Sequence, residues 1–433
     1  MLDIKFIREN PEIVKETVKR KNINLDIDEL LEIDGKRREL QAKTGELQAQ
    51  RNEIAKSAKG GRPTAEQMEE GRRIKEKLSE LEKENKEAEE KFNELMWLTP
   101  NIPSPDAPVG KDDSENVEIR QWGEPTKFDF EPKDHITLGK ELDILDVERG
   151  VKVGGYRGYY LKNEAVFLHL GLMMFALQKM AEKGYAPFIP PTIVKPFVLY
   201  GSGHFPFGYD EIYKIANPGK LEDGSKVAEE KFLLGTAEPS LCAYHSGEIL
   251  EEEDLPKKYC GFSQCYRSEV GSYGKDTRGI YRIHEFMKVE QVVLCKGDYA
   301  ESEKLHQEIT AIAEEIIKDL GIPYRVIEVC TGDMGAGKYK MYDIESWMPS
   351  RNAYGETHSS SNLGDWQARR LNIKYKTPDG EKKFVHMLNN TAIASPRFLI
   401  ALLENCQQAD GSVAIPEPLR KYLPGAPERI MKK

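Results

Sequence analysis

Apolar residues recur at intervals of seven in one stretch of this chain, and that spacing constrains its fold more than any other feature. Ile33, Leu40, Leu47 and Ile54 form one series; Ile74, Leu81, Ala88 and Leu95 form a second, with Leu78 and Phe92 on adjoining positions. A seven-residue repeat keeps one narrow seam facing a partner helix, so each series predicts one strand of a coiled coil. The break at 59–63, Lys-Gly-Gly-Arg-Pro, separates them. Thr64 then opens the second helix, with Gln67 placed to complete a capping box. The expectation is two antiparallel helices over about 26–97. Each is about 30 residues and so roughly 45 Å long. A two-helix seam buries little, so this hairpin should project into solvent.

Charge on the hairpin is uneven. Between Lys36 and Arg62 stand eight Lys or Arg against three Glu, whereas Glu66 to Glu94 holds eleven Glu and seven Lys or Arg. Taken alone, such a pattern describes a solvated coiled coil laced with ion pairs. Pro100, Pro103, Pro105, Pro108 and Gly110 follow and mark a linker. They divide an amino-terminal domain, 1–110, from a larger one, 111–433. Beyond the linker, strands, amphipathic helices and Gly/Pro turns alternate irregularly. Leu161 to Lys183 reads as one long helix, 184–191 as a strand leaving it, and Asp298 to Leu320 as a second amphipathic helix.

Composition narrows the function. No run of some 20 apolar residues is present, so no membrane span is expected, and the first residues lack a signal-peptide layout. Six scattered cysteines without a Cys-x-x-Cys pair read as reduced core thiols rather than a zinc site, which fits a cytoplasmic protein. A net charge of −10 argues against binding nucleic acid over the whole surface but permits a local basic face.

The chemistry concentrates in Tyr266 to Glu290. Arg267 and Glu269 precede a Gly-rich basic loop carrying Lys275, Arg278 and Arg282, and a return strand runs through Phe286 to Glu290. Fixed guanidinium groups beside an aromatic ring suit a nucleotide, whose phosphates need cations and whose base needs a stacking surface. Two further segments belong with it: Gly235-Thr-Ala-Glu238, and Leu388-Asn-Asn-Thr-Ala-Ile-Ala-Ser-Pro-Arg397.

Together these three segments resemble the seryl-tRNA synthetases, a family of class II aminoacyl-tRNA synthetases, and with the helical arm the resemblance spans nearly the whole chain. It implies an α+β fold, with a mostly antiparallel sheet flanked by helices joined to the coiled-coil arm. It also implies ATP-dependent formation of seryl-adenylate and transfer of the seryl group to tRNA(Ser), with tRNA(Sec) as a further possible acceptor. A homodimer built on the 161–183 helix and the strand after it is implied as well. The basic helix, with Lys36, Arg37, Lys43 and Arg51, then reads as a surface for the long variable arm of the tRNA, recognised by shape and backbone.

Adenylate formation needs charge neutralisation more than acid–base work. The attacking serine carboxylate is already ionised, since an α-carboxyl titrates near ~3.5. By resemblance, Arg267 meets the α-phosphate and also contacts the serine, and Arg278 meets the outer phosphates. Phe286 and Arg397 sandwich the adenine, and Glu269 holds its amine. Glu356 and Ser359 hold Mg2+, which prefers such hard oxygens. Thr236 and Glu238 bind the serine ammonium. Glu290, Asn389 and Thr391 read the hydroxyl and close the pocket, so that alanine would leave polar groups unpaired.

Several positions depart from the common family pattern. Thr391 stands where Ser is frequent, Asn390, Ala392 and Pro396 where Gly is frequent, and Glu285 where Gln is usual before Phe286. Gly355-Glu-Thr-His-Ser replaces Arg-Glu-Ile-Ser-Ser. Gly332-Asp-Met-Gly-Ala-Gly-Lys338 satisfies Gly-x4-Gly-Lys, but Tyr339 stands where a P-loop needs Ser or Thr and a strand follows instead of a helix. A loop bordering the active site is the better reading. An aminoacyl-carrier-protein ligase would lack the arm, and an idle RNA-binding paralogue would not need Thr236, Glu238, Arg267, Glu269, Glu290 and Arg397 together.

Overall fold

The computed structural model describes residues 1–57, 64–217, 219–220, 222, 224–225, 229–270 and 278–432. The break expected at 59–63 and the loop positions Gly271, Gly274 and Lys275 lie outside them. The chain divides into two compact units, Met1–Pro100 and Asn101–Lys433.

In the first unit, α1 (Ile27–Ser57) and α2 (Ala65–Leu98) pair along their length. Leu40, Ile74, Ala88 and Leu95 are buried at the seam, while Ile33, Leu47, Ile54 and Leu81 are half-buried. The capping box at α2 forms in both directions: Gln67 N donates to Thr64 Oγ1 at 3.2 Å, and Thr64 N donates to Gln67 Oε1 at 2.9 Å. One charged residue is fully buried here. Asp34 is 0 % exposed and accepts from Arg8 Nε at 2.7 Å, Arg38 Nε at 3.1 Å and Arg37 Nη2 at 3.3 Å. Burial alone would raise its pKa, but the hydrogen bonds from Arg8 and Arg37 hold it below the usual aspartate value.

The second unit is built on eight strands: β1 (Val117–Trp122), β2 (Ala186–Phe188), β3 (Lys257–Tyr266), β4 (Glu285–Cys295), β5 (Tyr324–Glu328), β6 (Lys340–Met348), β7 (Ala353–Asn362) and β8 (His386–Ser395). Their order across the sheet is β1-β5-β6-β7-β8-β4-β3-β2, antiparallel throughout except for the parallel edge pair β2/β3. This is the mostly antiparallel sheet with flanking helices expected of the α+β class.

One sheet face is covered by α3 (Glu164–Glu182) and α5 (Tyr299–Asp319), whose Leu168, Leu172, Ile309 and Ala313 join Val289 and Val293 in the main core. Alternation along a strand sends neighbours to opposite faces. Asn390 therefore points at α5 and donates to Ile309 O at 2.7 Å, leaving Asn389 and Thr391 for the other face. That second face carries the short helix α4 (Glu238–Ala243), whereas α6 (Arg397–Asn405) sends Leu399, Leu402 and Leu403 into the main core. By length and composition alone α3 is long and apolar enough to cross a membrane. Its inner face is nevertheless core, while Phe167, Leu170 and Met174 on the outside are 42 %, 41 % and 51 % exposed.

Candidate active site

The polar face of the central strands is assembled by register. Gly261 on β3, Glu290 on β4 and Thr391 on β8 stand in one row across the sheet. A Cβ at Gly261 would come 2.8 Å from Ala237 Cβ and 2.9 Å from Leu241 Cδ1, so glycine is what lets α4 settle onto this row. Glu238, the first residue of α4, is delivered to the row by that contact. Asn389, one step further along β8, faces Ser361 of β7.

Of the six residues expected to bind serine, Thr236, Glu238, Glu290, Asn389 and Thr391 are each under a tenth exposed, whereas Arg267 is exposed. Glu238 Oε1 accepts from Gln367 Nε2 at 2.7 Å. Burial pushes its carboxyl up, yet Lys338 and His204, with the Gln367 amide, bring the pKa below the usual glutamate value. Glu290 moves the other way: burial raises it and repulsion from Glu238 adds to that, with Lys288 only partly offsetting. Lys288 Nζ forms a salt bridge at 2.6 Å to Glu290 Oε2, an oxygen otherwise buried without a partner. Asn389 Nδ2 and Ser361 Oγ are likewise buried without partners. Unsatisfied donors and acceptors gathered on one wall are what a small polar ligand would complete.

Beside this wall lies a cavity of about 510 Å³ that Arg267, Glu269, Phe286, Glu356, Thr391 and Arg397 all line. Arg267 and Glu269 also open on a second cavity of about 1450 Å³ with Gly235 and Lys338. Arg267 Nε donates to Gly235 O at 3.3 Å and its guanidinium stands 5.2 Å over the Phe286 ring. Glu269 takes a left-handed φ of 55°, uncommon for a residue with a side chain, and its carboxylate sits 3.3 Å from Arg157 Nη1 and 3.5 Å from Arg282 Nη1. Arg278 lies elsewhere, in a neighbouring cavity of about 810 Å³ that Tyr281, Arg351 and Glu404 also line.

Glu356 contacts Arg397 Nη1 at 2.9 Å. Although 44 % of its side-chain surface is open, the opening is into the cleft. Burial disfavours its charge, but Arg397, then Arg267 and Arg282, hold its pKa below the glutamate norm. Asp343 on β6 faces Ser359 across the β6/β7 pair. Burial and the nearby Glu356 raise its pKa, and its Oδ1 has no hydrogen-bond partner. Glu356, Ser359 and Asp343 thus present hard oxygen donors of which one is unsatisfied, which fits Mg2+. Among the described residues no group of three or more His, Cys, Asp or Glu forms a protein-only metal cluster.

Sequence reasoning did not find Tyr281, Lys288 or Asp343. Lys288 was within reach, since it lies two residues before Glu290 on a strand and therefore on the same face. The Gly-x4-Gly-Lys segment does border the site, with Gly335 and Lys338 on the second cavity and β6 following it. On the hairpin, Lys36, Lys43 and Arg51 are exposed. Arg37 is turned inward, 17 % exposed, 3.2 Å from Glu89 and 4.1 Å over the Phe92 ring, where it serves the seam.

Comparison with known proteins agrees with this geometry. Residues 1–103 match the seryl-tRNA synthetase N-terminal domain, and residues 220–406 match the class II tRNA synthetase core domain (G, H, P, S and T). A serine–tRNA ligase of Treponema denticola is 46 % identical over 428 residues, 98 % of each chain. A seryl-tRNA synthetase from Pyrococcus horikoshii, solved with ATP, superposes with a TM-score of 0.87 at 41 % identity over 100 % of both chains. The cytoplasmic serine–tRNA ligase of Naegleria fowleri, solved with AMP, gives 0.85 at 33 % identity, covering 100 % of this chain and 99 % of its own.

Proposed function

The chain belongs to the seryl-tRNA synthetase family and uses ATP to activate serine and charge tRNA with it, and from that premise we propose how its residues divide the work. The observation that carries the assignment is the convergence of Arg267, Glu269, Phe286, Glu356, Thr391 and Arg397 on one cavity beside the buried serine wall. Serine seats its ammonium against Glu238 and Thr236, and its hydroxyl against Glu290, Asn389 and Thr391. Adenine lies between Phe286 and Arg397, with its amine on Glu269. The serine carboxylate then attacks the α-phosphorus, the bond to the bridging oxygen breaks, and pyrophosphate leaves. Arg267 stays fixed beside the accumulating charge, so the site reorganises little during the step. Arg282, which opens on both cavities, and Arg278, from the cavity behind Tyr281, meet the outer phosphates.

Glu356 and Ser359 would hold Mg2+, with Asp343 Oδ1 the donor that still lacks a partner. When bound, the ion supplies positive charge to the phosphate oxygens.

Lys36, Lys43 and Arg51 offer their charges to the tRNA backbone, Arg37 being occupied within the hairpin. The exposed apolar stripe of α3 is the surface on which we place a homodimer. The setting is the cytoplasm, and tRNA(Sec) is a further acceptor in this reading. A crystal grown with a non-hydrolysable seryl-adenylate analogue tests the site. Adenine between Phe286 and Arg397 with the seryl group at Glu290 supports it; any other seat overturns it.

A further inference from the structure

Arg397 does not face the cavity alone. Its guanidinium carbon lies 4.6 Å from the centre of the Tyr281 ring, and its Nε donates to Tyr281 O at 3.2 Å. A second guanidinium, that of Arg351, stands 4.6 Å from the same ring. Arg397 opens on the nucleotide cavity and Arg351 on the neighbouring one, while Tyr281 lines both. The ring is therefore the partition between the two cavities, with one cation on each.

Both ends of this column are tied to one buried carboxylate on the helix that begins with Arg397. Glu404 is 0 % exposed. It accepts from Ser350 N at 3.0 Å and Ser350 Oγ at 2.8 Å, next to Arg351. It also lies 2.9 Å from His135 Nδ1, and His135 Nε2 accepts from Ile280 N at 3.3 Å, next to Tyr281. Because Nε2 accepts, the imidazole proton sits on Nδ1 and is donated to Glu404. Two glycines make the room. A Cβ at Gly279 would come 2.1 Å from His135 Nε2, and one at Gly355 would come 3.2 Å from the Tyr281 hydroxyl.

A long guanidinium side chain loses rotamer freedom when it stacks on a base, and affinity improves if that freedom is already restricted. We infer that Tyr281 and Arg351, locked in place through Glu404, are positioning residues that hold the Arg397 guanidinium as a flat platform for the adenine base of ATP. The inference rests on the reading that adenine stacks on Arg397.

The test is steady-state ATP–pyrophosphate exchange with ATP and serine varied separately. Tyr281→Ala should raise KM for ATP roughly fivefold, the scale of a partly desolvated cation–π contact, and leave KM for serine within about twofold. Tyr281→Phe, which keeps the ring, should restore KM for ATP, and Arg351→Ala should raise it by a smaller factor than Tyr281→Ala. An unchanged KM for ATP in Tyr281→Ala, an equal rise for both substrates, or a Phe variant as weak as the Ala variant overturns the positioning role. Arg397→Ala separates the two readings: if it leaves KM for ATP untouched, adenine stacking itself is wrong, and the platform falls with it.

Discussion

Arg397 Nη1 donates to Glu356 Oε2 at 2.9 Å and lies 3.3 Å from the Glu356 backbone oxygen, so the cation we assign to the nucleotide base is braced by the carboxylate we assign to the metal. One strand residue on β7 and the first residue of α6 thereby set each other's position before any substrate arrives.

Glu356→Gln keeps the shape of that contact and removes the charge. Exchange activity should fall roughly 100-fold, and the Mg2+ concentration needed for half-maximal rate should rise. A magnesium titration of the variant checks it; an unchanged titration midpoint would remove Glu356 from the metal site.

Gly261→Ala probes the seat of α4. The new Cβ would press on Ala237 and Leu241, and the displacement is passed to Glu238. Overpacking of this kind costs about 1–3 kcal/mol. KM for serine should rise roughly tenfold with KM for ATP nearly constant. Equal changes in both would mean that the row Gly261–Glu290–Thr391 does not frame the serine pocket.

Glu290 carries a pKa raised by burial, so its carboxylate form is lost as pH falls before an ordinary glutamate, near about 4.3, would titrate. The acid limb of kcat/KM for serine should accordingly lie above that value, and Glu290→Gln should abolish the limb. The same variant should activate serine roughly 10- to 100-fold less well and narrow the preference for serine over alanine, since a charged acceptor for the hydroxyl is gone.

Asp34 offers a stability test confined to the first unit. Its folded pKa is lowered, so its contribution is present above the unfolded value near about 3.9 and is lost as pH falls through the folded one. Asp34→Asn leaves Arg8, Arg37 and Arg38 without their common acceptor. A loss of about 2–3 kcal/mol is expected, below the range for fully buried pairs because the arginines are partly exposed. Hydrogen exchange along α1 and α2 should accelerate at pH 7, while exchange in β3, β4 and β8 stays as in the parent.

Local rules made the hairpin legible. Heptad spacing and the Thr64–Gln67 box depend on residues a few positions apart, and both sets of contacts form as spacing dictates. The reactive segments were legible because Arg267, Glu290 and Arg397 lie within dense runs of chemically telling residues. What escaped is set by packing between distant segments. Asp34 sits beside Ile33 in a run of charges with nothing local to mark it as buried; Arg8, 26 residues away, joins Arg37 and Arg38 in making that burial tolerable. In sequence Arg37 groups with the tRNA-facing cations of its helix, because nothing nearby announces Phe92 beneath it. His135 and Glu404, 269 residues apart, could not be paired from spacing at all. Motif position ties Arg278 to the outer phosphates but does not show the turn at Gly279, beside which it lines the cavity behind Tyr281.

In the proposed mechanism the cation at Arg267 faces the α-phosphate. Serine-dependent ATP–pyrophosphate exchange by Arg267→Ala, measured beside the parent enzyme at saturating ATP and serine, tests it most directly. The predicted result is a loss of roughly 100- to 1,000-fold in kcat, the range for removing one preorganised donor from developing charge. A variant that exchanges within about threefold of the parent would contradict it and pass the task to Arg282, which also opens on both cavities.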